Sequence, residues 1–323
     1  MKLMKGVFLD QDSMGANLDY QRLEHALSRF EAYPTTSPEQ VAAHLADAQV
    51  AIVNKVMLGA RELDTCPELK LIAVTATGTN NIDLAAAKAR DIRVCNVIQY
   101  GRPTIVQHTF SLILALANRL IDYVADVRQG EWQKSPVFCM MHHPIIELEG
   151  KTIGIIGYGD LGRGVARMAE AFGMKVLLGA RPGQENTKEN AYPRMPLNEL
   201  LPQVDVLSLH CLLSPETLNL INADALARMQ PTSFLINVAR GGLVDEPALA
   251  QALLEKRLAG AATDVLSQEP PSEGNPLLNP AIPNLIVTPH CAWASQEARQ
   301  RLLDKTADNI AQFCKGGLER YVV

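Results

Sequence analysis

Short apolar runs alternate with amphipathic stretches along most of this chain. In the first hundred residues, runs rich in β-branched side chains predict strands, and the stretches between them predict helices. The predicted strands are 7–10, 50–54, 71–75 and 92–95, and the predicted helices are 18–30 and 83–90. Such alternation is typical of a parallel sheet covered by helices on both faces. This part of the chain therefore predicts one α/β domain.

A second series of the same kind begins near residue 152. Its six predicted strands are 152–156, 175–178, 204–209, 234–238, 261–265 and 285–288. The spacing of apolar residues predicts one long helix over 103–128 before this series and a last helix over 295–313 after it. The predicted fold class is α/β with two doubly wound parallel-sheet domains, whose ligands bind outside the carboxyl ends of the strands.

A glycine-rich turn follows the first strand of the second series. Gly157 permits a tight turn, Gly159 removes the side chain that would keep a pyrophosphate off the backbone, and Gly162 lets the next helix approach the strand. Asp160 and Leu161 complete the turn and begin that helix. Because the N-terminus of a helix attracts anions, we predict a dinucleotide-binding site here.

Composition narrows the possible classes of protein. The chain has 323 residues, 47% of them hydrophobic and 20% charged, and a net charge of −5, which argues against a general binder of nucleic acid or anionic membranes. The start lacks the pattern of a signal peptide, and the most apolar helix candidate, 109–117, is too short to span a bilayer. The six cysteines show no C-x-x-C pair, so we expect reduced thiols in a cytoplasmic protein.

Three titratable residues follow later strands of the second series. Arg240, Glu269 and His290 are expected at one edge of the sheet, since parallel strands end on the same side. Singly, each has a structural alternative: an ion-pair partner, a solvated loop acid and a hydrogen-bonded loop histidine. After a dinucleotide motif, the three together favour acid–base chemistry on an anionic substrate.

The neighbouring histidines His142 and His143 raise the question of a metal site. Adjacent residues do not point to one ligand sphere in regular structure, and no cluster of carboxylates or cysteines surrounds them in the sequence. We therefore predict no metal site.

Four motifs are similar to those of the D-isomer-specific 2-hydroxyacid dehydrogenase family. They are Gly-Tyr-Gly-Asp-Leu-Gly at 157–162, Asn-Val-Ala-Arg-Gly-Gly-Leu-Val-Asp at 237–245, Asp-Val-Leu-Ser-Gln-Glu-Pro-Pro at 264–271 and Thr-Pro-His-Cys-Ala-Trp at 288–293. The resemblance extends over nearly the whole chain. Within the family, the segments 7–10, 75–83 and 132–144 resemble bacterial glycerate dehydrogenases, also called hydroxypyruvate reductases.

This resemblance implies a division of the chain into two domains. A flavodoxin-like substrate domain would comprise 1–101 and 288–323, and a Rossmann NAD(P)-binding domain would comprise 102–287, with the active site between them. Family members are typically homodimers that use the long helix and the loop after it. Trp132 would then reach a neighbouring subunit's site.

The resemblance also implies a reaction and its residues. Hydride would move between NAD(P)H and a small 2-oxo acid, most closely hydroxypyruvate, which becomes D-glycerate. His290 would donate the proton, and Glu269 would keep it charged and oriented. Arg240 would hold the substrate carboxylate and polarise the carbonyl, with the backbone of Thr77 and Gly78 on its other side.

Further cofactor contacts follow from the same resemblance. Besides the glycine turn, they are Ala180, Arg181, His210, Cys211, Val238, Ala239, Arg240, Asp264 and His290. Asp264 would bind the nicotinamide carboxamide, although it is also suited to cap a turn. His108 is expected to pack between the domains.

The strand over 175–178 bears on the choice of nicotinamide cofactor. NAD sites usually carry an acid after this strand, which accepts the ribose hydroxyls and repels a 2′-phosphate. Here Ala180 stands at that position, and Arg181 would pair with a 2′-phosphate. NADP(H) is therefore favoured, while stacking of Arg181 on adenine would leave NAD(H) possible.

Other activities on this scaffold stay open. Glyoxylate, another small 2-oxo acid or 3-phosphoglycerate would change only the substrate. A formate dehydrogenase is disfavoured because those relatives replace the catalytic acid with an amide. A nucleotide-sensing corepressor would keep the same residues, and turnover of a 2-oxo acid would discriminate it from an enzyme.

Overall fold

The computed structural model describes residues 4–180, 192–317 and 321–323. Over these residues the strands are β1 Lys5–Phe8, β2 Arg29–Ala32, β3 Val50–Val53, β4 Leu71–Val74, β5 Arg93–Cys95, β6 Thr152–Ile156, β7 Lys175–Gly179, β8 Arg194–Met195, β9 Val206–Leu209, β10 Phe234–Asn237, β11 Gly260–Thr263 and β12 Leu285–Val287. The α-helices are α1 Gln21–His25, α2 Val41–His44, α3 Ala60–Asp64, α4 Leu84–Ala89, α5 Arg102–Ala117, α6 Leu120–Arg128, α7 Asp160–Ala171, α8 Leu197–Leu200, α9 Ala223–Arg228, α10 Glu246–Leu254 and α11 Gln296–Cys314.

These strands form two sheets in which every pairing is parallel. The first sheet has the order β2-β1-β3-β4-β5, which is the flavodoxin-like order. The second has the order β12-β11-β10-β9-β6-β7-β8. Its strand order reverses at β6, because β7 and β8 lie on one side of β6 and β9 to β12 lie on the other. Such a reversal opens a crevice at the carboxyl ends of the strands on either side of it. The predicted fold class is confirmed.

Contacts divide the chain into two compact units. One unit comprises Met1–Gly101 and Ala294–Val323, and the other comprises Arg102–Trp293. The second boundary lies at 294 rather than at the predicted 288. The reason is local, because the backbone N–H groups of Cys291 and Ala292 donate to Asp264 in the second unit.

Each unit buries its own core. In the first unit, β3 and β4 are buried at every position, as expected for strands covered on both faces. In the second unit, apolar clusters cover the two faces of the sheet. One includes Ile113 of α5 and Val165 of α7, and the other includes Leu226 of α9 and Leu253 of α10. The sheet is thus fixed from both sides, which leaves its edge loops for function.

The predicted helix over 18–30 was wrong in its second half. Helix α1 ends at His25, and Arg29–Ala32 form the edge strand β2 beside β1. Glu31 of this strand pairs with Lys5 of β1 at 3.0 Å. Pairing with a neighbouring strand here overrides the local helical pattern, which is a weak determinant for short segments.

The predicted single helix over 103–128 was also wrong. It breaks between α5 and α6 at Arg119, whose φ of +51° is left-handed. The Ala117 carbonyl, freed at this break, accepts a hydrogen bond from the backbone N–H of Ile146 at 3.0 Å. A distant loop therefore stabilises the end of α5, which apolar spacing does not reveal. The six strands predicted for the second series are joined by a seventh, the two-residue β8.

Candidate active site

The glycine turn joins β6 to α7 as the motif requires. Gly157 has a φ of +98°, and a Cβ there would lie 2.5 Å from the Cys211 backbone nitrogen. A Cβ on Gly162 would lie 2.2 Å from the Gly157 carbonyl oxygen. At Gly159, in contrast, a Cβ would meet nothing within 4 Å. The N-terminus of α7 thus faces open space, and this arrangement fits the pyrophosphate of a dinucleotide.

An ion pair lies beside this turn. Asp160, in the first turn of α7, binds Nη1 of Arg102 through Oδ1 at 2.8 Å. An acidic side chain next to a phosphate site would repel the phosphate, so a paired arginine offsets that charge. Arg102 was not singled out from the sequence, because its only signal is a position beside Pro103 at the start of a helix.

Two predicted cofactor residues follow the next strands. Ala180, directly after β7, is partly buried, and its N–H donates to the Met195 carbonyl of β8 at 2.8 Å. Arg181 lies outside the described residues. Of these two residues the structure therefore describes only Ala180, which stands where NAD sites usually carry an acid.

His210 directly follows β9 and is held in a neutral form. Its Nε2 lies 2.8 Å from Ser208 Oγ, and burial lowers the pKa of His210 to about 4. Its Nδ1 is buried and has no hydrogen-bond partner among the described residues. A buried nitrogen of this kind is usually satisfied by a bound group, so it fits a cofactor-lining position. Cys211 contributes the backbone against which Gly157 packs.

The loop after β10 presents Arg240 on a fixed turn. The Asn237 side chain accepts from the Ala239 N–H at 3.1 Å and donates to the Arg240 carbonyl at 2.9 Å. Val238 is buried beneath this turn. Arg240 is partly buried, and its Nη1 donates to the Ala239 carbonyl at 2.7 Å. Asn237, missed from the sequence as a functional residue, sets the path of this loop.

Asp264 organises the loop after β12. Its Oδ1 accepts from Thr288 Oγ1 at 2.5 Å and from the Cys291 N–H at 2.9 Å, and its Oδ2 accepts from the Ala292 N–H at 2.8 Å. His108 of α5 has its Nε2 3.5 Å from the same Oδ1 and 3.1 Å from Thr288 Oγ1. Asp264 therefore caps a turn, which is the structural alternative predicted for this residue. His108 contacts this loop within the second unit.

Glu269 and His290 form a direct pair. Nδ1 of His290 lies 2.6 Å from Oε2 of Glu269, and the other carboxylate oxygen accepts from the Leu266 N–H at 2.8 Å. His290 has a left-handed φ of +51°, held by N–H donation to the Asp264 carbonyl at 2.8 Å. Both side chains are about one-third exposed, at 31% and 34%. Hydrogen bonds therefore hold both residues in fixed directions, while their side chains stay accessible to solvent.

A second buried carboxylate holds the Glu269 loop from below. Glu246, in the first turn of α10, accepts from the Ser267 N–H at 2.7 Å, from Ser267 Oγ at 2.5 Å and from Asn275 Nδ2 at 2.8 Å. Glu246 was not identified from the sequence, because Asp245-Glu246-Pro247 is also an ordinary helix start. It connects α10 to both ends of the loop that carries Glu269.

Arg240, Glu269 and His290 thus belong to loops after the adjacent parallel strands β10, β11 and β12. The two other predicted substrate residues, Thr77 and Gly78, belong to the first unit. Thr77 lies in the loop after β4, where its Oγ1 donates to the Val97 carbonyl at 2.8 Å. The loop backbone is therefore fixed by its own unit.

The segment after α6 departs from the expectation for His142 and His143. Both imidazoles reach one carboxylate, that of Asp126. Adjacent side chains point apart in regular structure, but residues 141–145 form neither helix nor strand, so both imidazoles can reach the same side. All six cysteines are free thiols, and over the described residues no helix is long and apolar enough to cross a membrane.

Comparison with known proteins places this architecture in a family. Residues 110–292 match the model of the D-isomer specific 2-hydroxyacid dehydrogenase, NAD binding domain. The chain is 45% identical to a glycerate dehydrogenase of Methylorubrum extorquens over 97% of its length and 96% of that protein. It is 38% identical to a hydroxypyruvate reductase of Blautia hydrogenotrophica over 97% of its length and 98% of that protein.

A solved structure is similar to this chain over nearly its whole length. The crystal structure of an NADPH-dependent glyoxylate/hydroxypyruvate reductase from Sinorhizobium meliloti, in complex with NADP and malonate, matches with a TM-score of 0.83 at 28% identity. The match covers 99% of this chain and 97% of that one. The two parallel sheets, the glycine turn and these matches together show that the chain belongs to the D-isomer specific 2-hydroxyacid dehydrogenase family, with a domain for a nicotinamide dinucleotide.

Proposed function

We propose that this enzyme reduces hydroxypyruvate to D-glycerate with NADPH, and that Arg240, Glu269 and His290 carry out the reaction. The observation that carries the proposal is the 2.6 Å pair of His290 and Glu269 at the carboxyl ends of the strands. Hydroxypyruvate is favoured because relatives at 45% and 38% identity are named for glycerate and hydroxypyruvate.

Each residue of the proposed site has a separate role in the reaction. A reduced nicotinamide, when bound, supplies the hydride for C2 of the 2-oxo acid. The developing charge on the carbonyl oxygen takes the proton that His290 donates, so the ketone becomes a secondary alcohol. Glu269 fixes the direction of the imidazole through its 2.6 Å contact with Nδ1, which leaves Nε2 to face the substrate. Arg240 binds the substrate carboxylate with its planar fork, with Thr77 and Gly78 as further substrate contacts.

The dinucleotide would be held by residues that follow β6, β7, β9, β10, β11 and β12. They are Gly157, Gly159, Asp160, Leu161, Gly162, Ala180, Arg181, His210, Cys211, Val238, Ala239, Arg240, Asp264 and His290. Helix α7 and the open space at Gly159 suit the phosphates, and the missing acid at Ala180 favours NADPH over NADH. We further propose that the second unit, 102–293, binds the cofactor and that the first unit, 1–101 with 294–323, binds the substrate.

We also propose a cytoplasmic homodimer. The free thiols are typical of a reducing compartment. Apolar side chains are exposed along α6 and the segment after it, among them Ile121, Val124, Phe138 and Met141. A second copy of the chain would cover them, and Trp132 lies in the same segment. Light scattering at micromolar concentration would give twice the 35.2 kDa chain mass, and a monomer would contradict the proposal.

A paired initial-rate assay tests the activity. NADPH and NADH oxidation would be followed with hydroxypyruvate, glyoxylate, pyruvate and 3-phosphohydroxypyruvate. We expect the highest kcat/KM for hydroxypyruvate with NADPH. A higher value for glyoxylate, named in the Sinorhizobium meliloti reductase, would reassign the substrate. Tight cofactor binding with no turnover of any 2-oxo acid would instead indicate a nucleotide sensor.

A further inference from the structure

A second cluster of carboxylate and histidine lies apart from the reaction residues. Asp126 is on α6, and His142 and His143 follow in the irregular segment after it. The Nε2 atoms of both histidines lie 2.8 Å from the same oxygen, Oδ2 of Asp126. The three potential ligand atoms lie within 4.8 Å of one another. Two imidazoles thus share their Nε2 hydrogens with one carboxylate oxygen.

This donor set is suited to a divalent transition metal. Zn²⁺ is commonly bound by histidine nitrogen and carboxylate oxygen at about 2.0–2.2 Å, and three protein ligands leave a fourth position for water. Tetrahedral bonds of that length separate two ligands by about 3.3 Å. The observed 2.8 Å separations therefore need to lengthen by about half an ångström, which side-chain rotation can supply. One cation would then lie between the two Nε2 atoms and Oδ2, and the hydrogen of each imidazole would move to its Nδ1.

Contacts around the cluster hold the ligands in place. The Tyr123 hydroxyl donates to the His143 carbonyl at 2.8 Å and accepts from the His143 N–H at 3.2 Å. The Tyr123 ring also contacts the edges of both imidazoles, with centroids 5.7 Å from His142 and 4.9 Å from His143. Fixing the ligands before binding lowers the entropy cost of coordination.

The cluster is accessible from solvent. Asp126 and His142 line a cavity of about 550 Å³ together with Glu131, Lys134 and Cys139. The side chains of Asp126 and His143 are 20% and 23% exposed, and that of His142 is 50% exposed. An ion thus has an entry path and room for water ligands, which a metal site requires.

We propose that Asp126, His142 and His143 form a site for a divalent transition metal, with Zn²⁺ as the ion that the donor set fits best. The bound ion joins α6 to the segment that follows it and closes a loop of 16 or 17 residues. Its role is structural, since the ion stabilises the segment that carries Phe138 and Met141. The site is independent of the proposed substrate.

The experiment is titration of the chelator-treated, untagged protein with ZnCl₂ by calorimetry. We expect one ion per chain, a Kd of about 10 μM or lower and a higher Tm with the metal, because the ion binds the folded chain and not the unfolded one. His142→Gln with His143→Gln should weaken binding at least 100-fold. Asp126→Asn should weaken it at least tenfold while keeping one hydrogen-bond acceptor. His25→Gln, an exposed histidine of the other unit, is the matched control and should change nothing.

A competing location is the other group of potential ligands, His108, Asp264 and Cys291. There, Asp264 already accepts three hydrogen bonds, and burial raises the pKa of the Cys291 thiol. Cys291→Ser should therefore leave Zn²⁺ affinity unchanged. Loss of binding in Cys291→Ser, equal affinity in the double histidine variant, or no binding up to 1 mM ZnCl₂ would each overturn the proposal. Co²⁺ absorption bands that vanish in the double variant would support it independently of protein stability.

Discussion

The two halves of the ligand edge in the second unit are built by different means. After β6, the edge is backbone: Gly157 and Gly162 allow close packing, and Gly159 faces open space. After β10, β11 and β12, the edge consists of loops held by buried side chains, above all Asp264 and Glu246. A binding site for phosphates needs N–H groups and space, whereas a proton donor needs a fixed direction. Substitutions in each half of the edge test these two requirements separately.

The largest effect is expected from His290→Gln in the side-chain half. Glutamine keeps a polar side chain but cannot donate a proton as an acid, so kcat/KM should fall about 10³-fold. Cofactor affinity, measured by nicotinamide fluorescence, should change less than tenfold. His25→Gln is the control for loss of a histidine. If activity survives at wild-type level, proton donation by His290 is excluded.

The backbone half is tested by Gly159→Val. Gly159 has an extended backbone, with φ −89° and ψ −152°, so valine can adopt it and the fold should persist. Its side chain would fill the space in front of α7, and the Kd for NADPH should rise about 100-fold, equivalent to about 2.7 kcal/mol.

Gly159→Ala provides a graded comparison, with a smaller rise in the Kd for NADPH. Unfolding transitions of both variants should match the wild type. Unaltered NADPH binding by the valine variant would place the pyrophosphate elsewhere.

His210 supplies a pH-dependent contribution to stability. Its folded-state pKa of about 4 is below the usual 6.5, so the unfolded chain binds more protons between these values. The contribution is complete above pH 6.5 and is lost as pH falls toward 4, with a magnitude on the order of 3 kcal/mol. His210→Asn should therefore lose less stability than the wild type between pH 7 and pH 4.5. Equal losses in urea unfolding would contradict this.

A smaller change is expected from Ala180→Asp. Aspartate would accept the ribose hydroxyls of NADH and repel a 2′-phosphate, so the ratio of kcat/KM for NADPH to that for NADH should fall about tenfold. Ala180→Asn adds a side chain of similar size without charge and serves as the control. An unchanged ratio in the aspartate variant would remove the charge argument for NADPH.

The difference between local and long-range contacts explains which parts of the fold and of the site could be predicted from the sequence. The glycine turn and the residues after β10 to β12 follow from spacing, because strand ends and turns are local features. Arg102, Glu246 and Asp126 were missed, since each pairs with residues that are distant from it in the sequence. The split at Arg119 and the strand β2 were missed for the same reason. Local patterns locate the elements, and long-range pairing decides their ends and their hydrogen-bond networks.

The central claim is that Glu269 and His290 act together as the proton-donating pair. The most direct measurement is kcat/KM of wild type and Glu269→Gln, together with the Kd for NADPH. Glutamine can still accept the Nδ1 hydrogen but carries no negative charge beside the imidazole that donates the proton. We therefore expect about a 10²-fold loss of kcat/KM, with the Kd for NADPH changed less than tenfold. A rise in the Kd for NADPH as large as the loss of kcat/KM would mean that Glu269 only positions the loop. Wild-type activity in the variant would contradict the account.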